Sequence, residues 1–208
     1  MNDDVKTLSV SLSLLFLFSL LLCYSQIHSC FQTLLKLIPT PLSNTMAPSP
    51  RNVCITAADG QTGFLIAELL LTSDQFKKSI DSVSVLTLHP SSAKIKELHK
   101  LGAVVVPHKP GRQKEVIQTL KDTKCDTICL IPPTHVDKFD ITLEMIHAAK
   151  ESGTVQNVLF ISSAGCDLAE RDKQPRLREF IDLETEVMKT KGDSNVPLGH
   201  SPCILRWV

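Results

Sequence analysis

Short β-branched runs alternate with longer segments of helical periodicity from about residue 52 to residue 206. This alternation is typical of successive βαβ units around a parallel sheet, because each crossover returns the chain to the same edge of the sheet. We predict strands at 52–56, 84–88, 103–106, 126–131 and 157–161, a sixth beginning at 203–206, and helices at 64–71, 93–101, 113–120, 139–149 and 176–191. The expected fold is α/β: a Rossmann-type, doubly wound parallel sheet of six strands with helices on both faces.

The overall charge argues against a polyanionic partner. Lys plus Arg and Asp plus Glu number 22 each, so the chain has no net charge that would attract nucleic acid or an anionic membrane surface. Hydrophobic residues make up 43% of the chain and charged residues 21%, which is ordinary for a folded domain. We therefore expect no nucleic-acid partner.

The cysteines predict neither a disulfide framework nor a metal site. Cys54, Cys129 and Cys203 fall inside apolar, strand-like runs, where a free cysteine behaves as a small buried hydrophobe. The sequence contains no C-x-x-C pair and no cysteine and histidine set at zinc spacing. We expect reduced thiols in a cytosolic type of domain.

Residues 1–45 precede the βαβ pattern and contain a charge-free apolar run at 8–24. Several interpretations fit: an upstream extension of the gene model, a secretory signal or membrane anchor, or a buried core helix. Met46 begins a short polar leader directly before the first strand, as a native N-terminus would. We therefore divide the chain into an N-terminal extension, 1–45, and a nucleotide-binding domain, 46–208. The expected location is the cytoplasm, with membrane anchoring through 8–24 as the alternative.

The turn after the first strand carries the clearest chemical motif, Ala57-Ala-Asp-Gly-Gln-Thr-Gly63. It matches the pattern G-x-x-G-x-x-G at its second and third glycines, Gly60 and Gly63, with Ala57 in the first position. Such a turn lets backbone N–H groups and a helix N-terminus face a pyrophosphate. A positive φ at Ala57 would cost of order 1 kcal/mol. Asp59 is unfavourable beside a pyrophosphate unless its carboxylate turns away, for example to cap the helix. A plain Asp-Gly turn is the alternative.

Four segments together resemble the NmrA-like family of atypical short-chain dehydrogenases. They are 53–71, the strand 102–106, the strand end Phe160-Ile-Ser-Ser-Ala-Gly165 and the terminal Ile204-Leu-Arg206, in the family's order and spacing. The family includes NAD(P)H-dependent reductases and also regulators that bind the dinucleotide without turning it over. The resemblance, which covers about Arg51 to Arg206, therefore implies an NAD(P) cofactor.

The resemblance also implies where that cofactor binds. Gly60 to Gly63 match the family's phosphate loop, Pro132 and Pro133 lie where a loop covers the cofactor, and Ser162 and Ser163 match serines near the nicotinamide. The full set of expected cofactor-binding residues is Ala57, Asp59, Gly60, Gln61, Thr62, Gly63, His89, Pro132, Pro133, Ser162 and Ser163.

Two positions depart from the family where the adenosine half would lie. The family's arginine for the 2′-phosphate of NADP is replaced by Leu88-His-Pro90, and no acid stands there for a free ribose. The set His89, Ser91, Ser92 and Lys94 could accept a phosphate, which favours NADP weakly. The family's aspartate after the third strand falls near His108-Lys109.

The catalytic residues of the short-chain dehydrogenases are missing. The only tyrosine is Tyr24, so no Y-x-x-x-K follows Ser163, and the stretch that carries a lysine in atypical members reads Phe180-Ile-Asp-Leu-Glu184. A Ser162 nucleophile with His135 or His147 lacks the G-x-S-x-G elbow. We therefore leave the catalytic residues unassigned.

Two functions and one non-functional alternative follow from these observations. The first function is an NAD(P)-binding protein of oxidoreductase ancestry, whose full-length form transfers hydride from NAD(P)H. The second is a non-catalytic, dinucleotide-sensing regulator that binds a protein partner. Only Trp207 and Val208 follow Arg206, whereas family members close their substrate pocket with later elements. We accordingly expect either a C-terminal truncation or a form without most of a substrate pocket. A fragment that neither folds well nor binds is the remaining possibility.

Overall fold

Five parallel strands form the centre of the molecule. The computed structural model describes residues 50–190 and the backbone of 204–207, so residues 1–49, including the apolar run 8–24, lie outside the described part. The strands are β1 (Arg51–Ile55), β2 (Ile80–Thr87), β3 (Val104–Pro107), β4 (Thr127–Leu130) and β5 (Asn157–Ile161). Their order in the sheet is β3-β2-β1-β4-β5, which confirms the predicted Rossmann-like parallel sheet.

Six α-helices connect the strands of the described chain. They are α1 (Gln61–Thr72), α2 (Asp74–Lys77), α3 (Ala93–Lys100), α4 (Gln113–Asp122), α5 (Lys138–Ser152) and α6 (Pro175–Thr190), and a 3₁₀ turn spans Cys166–Leu168. The sequence prediction missed α2 and the 3₁₀ turn, because each is only three or four residues long and shows no period. It also began β2 four residues late, at Ser84 instead of Ile80.

The expectation of a sixth parallel strand is wrong. The last described segment, β6 (Ile204–Trp207), pairs with β5 in the antiparallel direction, with Ile204 opposite Ile161 and Trp207 opposite Val158. An apolar pattern of four residues is the same in both directions, so the composition of a strand carries no information on its orientation. The direction depends on the connection from α6, which a strand pattern does not encode.

Side chains alternate between two buried faces of the sheet. Cys54, Ile128 and Val158 are neighbours on β1, β4 and β5, and they belong to a core cluster with residues of α4, α5 and α6. Val53 and Ile55 are also buried and point to the opposite face, since neighbouring residues of a strand alternate. The helices α1, α2 and α3 form a second contact group. Both faces are thus covered, as is usual for parallel sheets.

The buried thiols behave as predicted. Cys54 and Cys129 lie in the core, and the cysteines within the described residues, which include Cys125 and Cys166, form no disulfide. Cys203 lies outside the described residues. None of the helices in 50–190 is both long and apolar enough to cross a bilayer.

Candidate nucleotide-binding site

The loop between β1 and α1 makes a tight reversal. Ala57 adopts a φ of 47°, in the left-handed region. The Gly60 N–H donates to the Ala57 carbonyl at 3.0 Å, and the Ala58 N–H donates to the Leu86 carbonyl of β2 at 3.2 Å. The loop is therefore bonded both to itself and to the neighbouring strand.

Gly63 brings α1 into close contact with this loop. A Cβ atom at Gly63 would lie 2.5 Å from the Ala57 carbonyl oxygen and 2.8 Å from the Ala58 Cα, and both are backbone atoms that cannot easily move. A Cβ at Gly60 would lie 3.1 Å from the same oxygen. The absence of a side chain at Gly63 is therefore a requirement of the packing.

The N-terminus of α1 is open to an anion. Its N-cap is Gly60, no side chain caps it, and its first turn contains no acidic residue. Unpaired N–H groups and the helix dipole favour negative charge at such an end. The suggestion that Asp59 caps α1 is wrong, because the Asp59 carboxylate accepts a hydrogen bond from Thr87 Oγ1 at 2.9 Å instead.

The loop lies where the strand order changes direction, between β1 and β4. Thr56, at the end of β1, connects the two strands: its hydroxyl donates to the Ile131 carbonyl at 3.2 Å and accepts from the Ile131 N–H at 2.8 Å. Open α/β sheets bind ligands outside the carboxyl ends of their strands at this switch point. The sequence prediction did not single out Thr56.

Near the carboxyl end of β2, the polar residues differ in whether their side chains are hydrogen-bonded. The His89 N–H donates to Thr87 Oγ1 at 3.0 Å, and the His89 side chain is exposed. Ser92 Oγ is the N-cap acceptor of α3. The Lys94 ammonium donates to Gln61 Oε1 at 3.1 Å and lies 6.0 Å from the centroid of the Phe64 ring. Lys94 thus reaches the first turn of α1.

A small cleft opens between the strand ends and α5, with about 310 Å³ of unfilled space including its open mouth. Ala57 and Pro133, two of the predicted residues, line it together with Thr87, His108 and Met145. Pro132 is half-buried beside Pro133. The cleft thus lies between the β1–α1 loop and the loop after β4.

His108 and Glu144 form a buried pair beside this cleft. His108 Nε2 lies 3.7 Å from Glu144 Oε1, and neither atom has a hydrogen-bond partner among the described residues. Glu144 Oε2 accepts from the Gly111 N–H at 2.7 Å. Burial lowers the pKa of His108 below its usual 6.5, although the neighbouring Glu144 carboxylate acts in the opposite direction. The pair was not predicted, because its members lie on separate elements.

At the end of β5, Ser162 forms a second polar cluster. Its hydroxyl donates a short hydrogen bond to Glu184 Oε1 of α6, and the Cys166 thiol lies 3.7 Å from the same oxygen. The partner of Ser162 is therefore a carboxylate; it is neither His135, which bonds to Asp137, nor His147, which is exposed on α5. The half-buried Ser163 lies beside it, and within the described residues neither serine is hydrogen-bonded to the loop between β1 and α1.

Lys138 of α5 lies against Phe180 of α6, in the stretch where the resemblance implied a lysine. Lys138 is 6% exposed, and its ammonium lies 4.3 Å from the centroid of the Phe180 ring and 3.1 Å from Glu179 Oε2. It also donates a short hydrogen bond to the Arg176 carbonyl. These bonds hold the ammonium between two helices, which is a structural role. Lys173, which precedes α6, is exposed and pairs with Glu170.

Known reductases share this fold. No protein-family profile matches the chain, and no curated protein sequence matches it significantly. The NADPH-dependent quinone oxidoreductase QOR2 of Escherichia coli, solved with NADPH, is 22% identical over 66% of this chain and 45% of its own, with a TM-score of 0.53. The triphenylmethane reductase of Citrobacter sp., complexed with NADP(H), is 15% identical over 66% and 45%, with a TM-score of 0.51.

A third structure comes from the pinoresinol-lariciresinol and phenylcoumaran benzylic ether reductases. It is 18% identical over 71% of this chain and 47% of its own, with a TM-score of 0.52. The chain thus spans less than half the length of each of these reductases. At these identities the likeness establishes the Rossmann-like fold.

Proposed function

We propose that this chain is an NAD(P)-binding protein of the NmrA-like type and of oxidoreductase ancestry. The observation that carries the proposal is the loop from Ala57 to Gly63, which is tightly reversed, close to α1 and located at the switch point of the sheet. The structural neighbours include reductases solved with NADPH and NADP(H), which supports the same cofactor class. A bound dinucleotide would supply the hydride in any reaction.

The residues present fit a dinucleotide. The uncapped N-terminus of α1 offers N–H groups to a pyrophosphate, and Gly60 and Gly63 keep side chains away from it. The adenosine half would extend toward Thr87 and His89, and the nicotinamide half toward Ser162 and Ser163. Pro132 and Pro133 would border the cofactor from the loop after β4.

A second candidate function is a regulator that senses the dinucleotide and binds a protein partner. Two observations favour it: Phe180 stands in place of a lysine, and the Ser162 hydroxyl already donates to Glu184. An enzyme would oxidise NADPH steadily with a quinone or another carbonyl acceptor, whereas the regulator would bind NADPH without consuming it. The absorbance of the reduced nicotinamide, followed over time, distinguishes the two functions, because it decreases only if NADPH is oxidised.

Thermal-shift titration of the full chain with NADH and NADPH tests cofactor binding. A ligand that binds only the folded state raises the free energy of unfolding by about 2.7 kcal/mol at a hundredfold excess over its Kd. Gln61→Glu places a negative charge in the first turn of α1 and should weaken binding at least about tenfold, a change of about 1.4 kcal/mol. A cooperative transition that neither cofactor moves would contradict the proposal.

The matched control is Gln113→Glu, the same change at the first residue of α4. Both helices begin without a side-chain cap, so both variants should gain slightly in stability from the helix dipole. Only the Gln61 variant should lose cofactor affinity. Equal losses in the two variants would show that the negative charge acts non-specifically.

A further inference from the structure

We propose that Asp59 makes this site select a dinucleotide with a free ribose 2′-hydroxyl, NAD(H), over its 2′-phosphorylated form, NADP(H). The inference rests on the proposed function and specifies the cofactor for it. It reverses the weak preference for NADP that His89, Ser91, Ser92 and Lys94 suggested in the sequence.

The Asp59 carboxylate is held at the carboxyl end of β2. Its Oδ1 accepts from Thr87 Oγ1 at 2.9 Å, and the same Thr87 oxygen accepts from the His89 N–H at 3.0 Å. A chain of two hydrogen bonds thus connects the phosphate loop to His89, the second residue after β2. Asp59 is half-buried, which limits its alternative orientations.

The position corresponds to that of the acid in NAD-binding Rossmann folds. Those folds place an Asp or Glu at the end of the second strand, where it accepts from the ribose hydroxyls. Here the end of β2 carries Leu88 and His89, so the strand itself contributes no acid. The carboxylate arrives instead from the loop after β1, and the bond to Thr87 places it beside the same strand end.

One oxygen of this carboxylate is available to a ligand. Thr87 occupies Oδ1, whereas Oδ2 takes part in no hydrogen bond with the described residues. No basic side chain in that part of the chain lies within 4.0 Å of Asp59 either, so its charge is not neutralised by an ion pair. A ribose hydroxyl could donate to Oδ2, whereas a phosphate dianion has no proton to donate and would be repelled.

The two nearby basic side chains do not outweigh this repulsion. The Lys94 ammonium is bonded to Gln61 Oε1 on the first turn of α1, and the His89 imidazole is exposed to solvent. His89 is exposed, so its interactions are screened by water and salt more than those of the half-buried Asp59 carboxylate. The Ser92 hydroxyl accepts the capping bond from Ile95 N–H of α3. We expect at least about tenfold tighter binding of NADH than of NADPH by the full chain.

Isothermal titration of the full chain with NADH and NADPH tests the inference, with ADP-ribose and 2′-phospho-ADP-ribose as probes that lack nicotinamide. Asp59→Asn keeps an oxygen that can accept from Thr87 and removes the charge. The ratio of the Kd of NADPH to the Kd of NADH should fall by about tenfold in this variant, mainly through tighter binding of NADPH. The cofactor pair and the probe pair should give the same change.

Asp74→Asn is the control, because this substitution changes the net charge by the same amount and Asp74 is 95% exposed on α2. It should leave the ratio unaltered. Wild-type chain that binds NADPH as tightly as NADH, or an Asp59 variant with an unchanged ratio, would overturn the inference while leaving the proposed function intact. Failure of every nucleotide to bind would overturn both.

Discussion

Ala57 and Gly63 contact each other but tolerate side chains differently. Ala57 carries a Cβ in the left-handed region, φ 47°, where a non-glycine residue is strained by of order 1 kcal/mol. Gly63 has an ordinary helical position but no room, because its missing Cβ would overlap backbone atoms of Ala57 and Ala58. Conformational strain at one residue is thus tolerated, while steric overlap at the other is excluded.

Gly63→Ala should therefore lower the free energy of unfolding by about 1–3 kcal/mol, the range for overpacked sites. Gly60→Ala is the comparison, since its Cβ would approach the same carbonyl oxygen only to 3.1 Å and its φ of −73° suits any residue. Its cost should stay below about 1 kcal/mol. Urea unfolding followed by circular dichroism measures both values; equal costs would show that α1 can move away from the loop.

At the scale of elements, α5 and α6 are joined by a buried cation. Lys138 begins α5, where a positive charge is disfavoured by the helix dipole, so it requires its contacts with Glu179 and the Arg176 carbonyl. Glu184, further along α6, connects this helix to the end of β5 through Ser162. Polar contacts thus determine where α6 lies against the apolar core.

Lys138→Met keeps most of the apolar stem of the side chain and leaves Glu179 without its cation. We expect a loss of about 2–4 kcal/mol of stability, because removing one partner of a largely buried pair leaves the other uncompensated. A double-mutant cycle with Glu179→Gln should show a coupling free energy of about 1–2 kcal/mol in chemical unfolding. Additive losses would mean that the ammonium is held by the Arg176 carbonyl and Phe180 alone.

For the whole molecule, buried titratable groups limit stability at acid pH. Burial keeps the pKa of His108 below 6.5 in the folded state, so below pH 6.5 the unfolded chain binds more protons than the folded chain. Stability should therefore fall as the pH decreases from 6.5 toward the lowered pKa. Thermal unfolding between pH 7.5 and 5 measures this slope, and His108→Gln should make it shallower. An identical slope in the variant would assign the acid sensitivity to other groups.

The core thiols should limit stability at alkaline pH. Burial raises the pKa of Cys129 to about 12, and a side-chain hydrogen bond with Cys125 together with burial raises the pKa of Cys54 well above its usual 9.0. Between about pH 9 and 12 the unfolded chain therefore loses protons that the folded chain keeps, and stability falls as the pH rises. Cys129→Ala removes a titrating group, so its stability should decline less steeply over this range; an equal decline would contradict the prediction.

The order of the strands and of the longer helices follows from local pattern, and the sequence was sufficient to predict it. Apolar periodicity distinguished β1, β3, β4 and β5 to within one or two residues, because a strand or helix shows its period within its own length. Gly60 and Gly63 could likewise be predicted as phosphate-loop residues, since the turn chemistry is contained in seven consecutive positions. The assignment of these residues to a cofactor stays a prediction.

Tertiary structure alone decided which distant side chains meet. Asp59 with Thr87, His108 with Glu144, and Ser162 with Glu184 each join residues on separate elements, and no local pattern indicates such pairs. The antiparallel direction of β6 has the same origin, because direction is set by the connecting chain and the neighbouring edge. The sequence by itself thus determined the elements and the loop, since both depend on neighbours along the chain. Packing determined the electrostatics of the site, since charges interact through space.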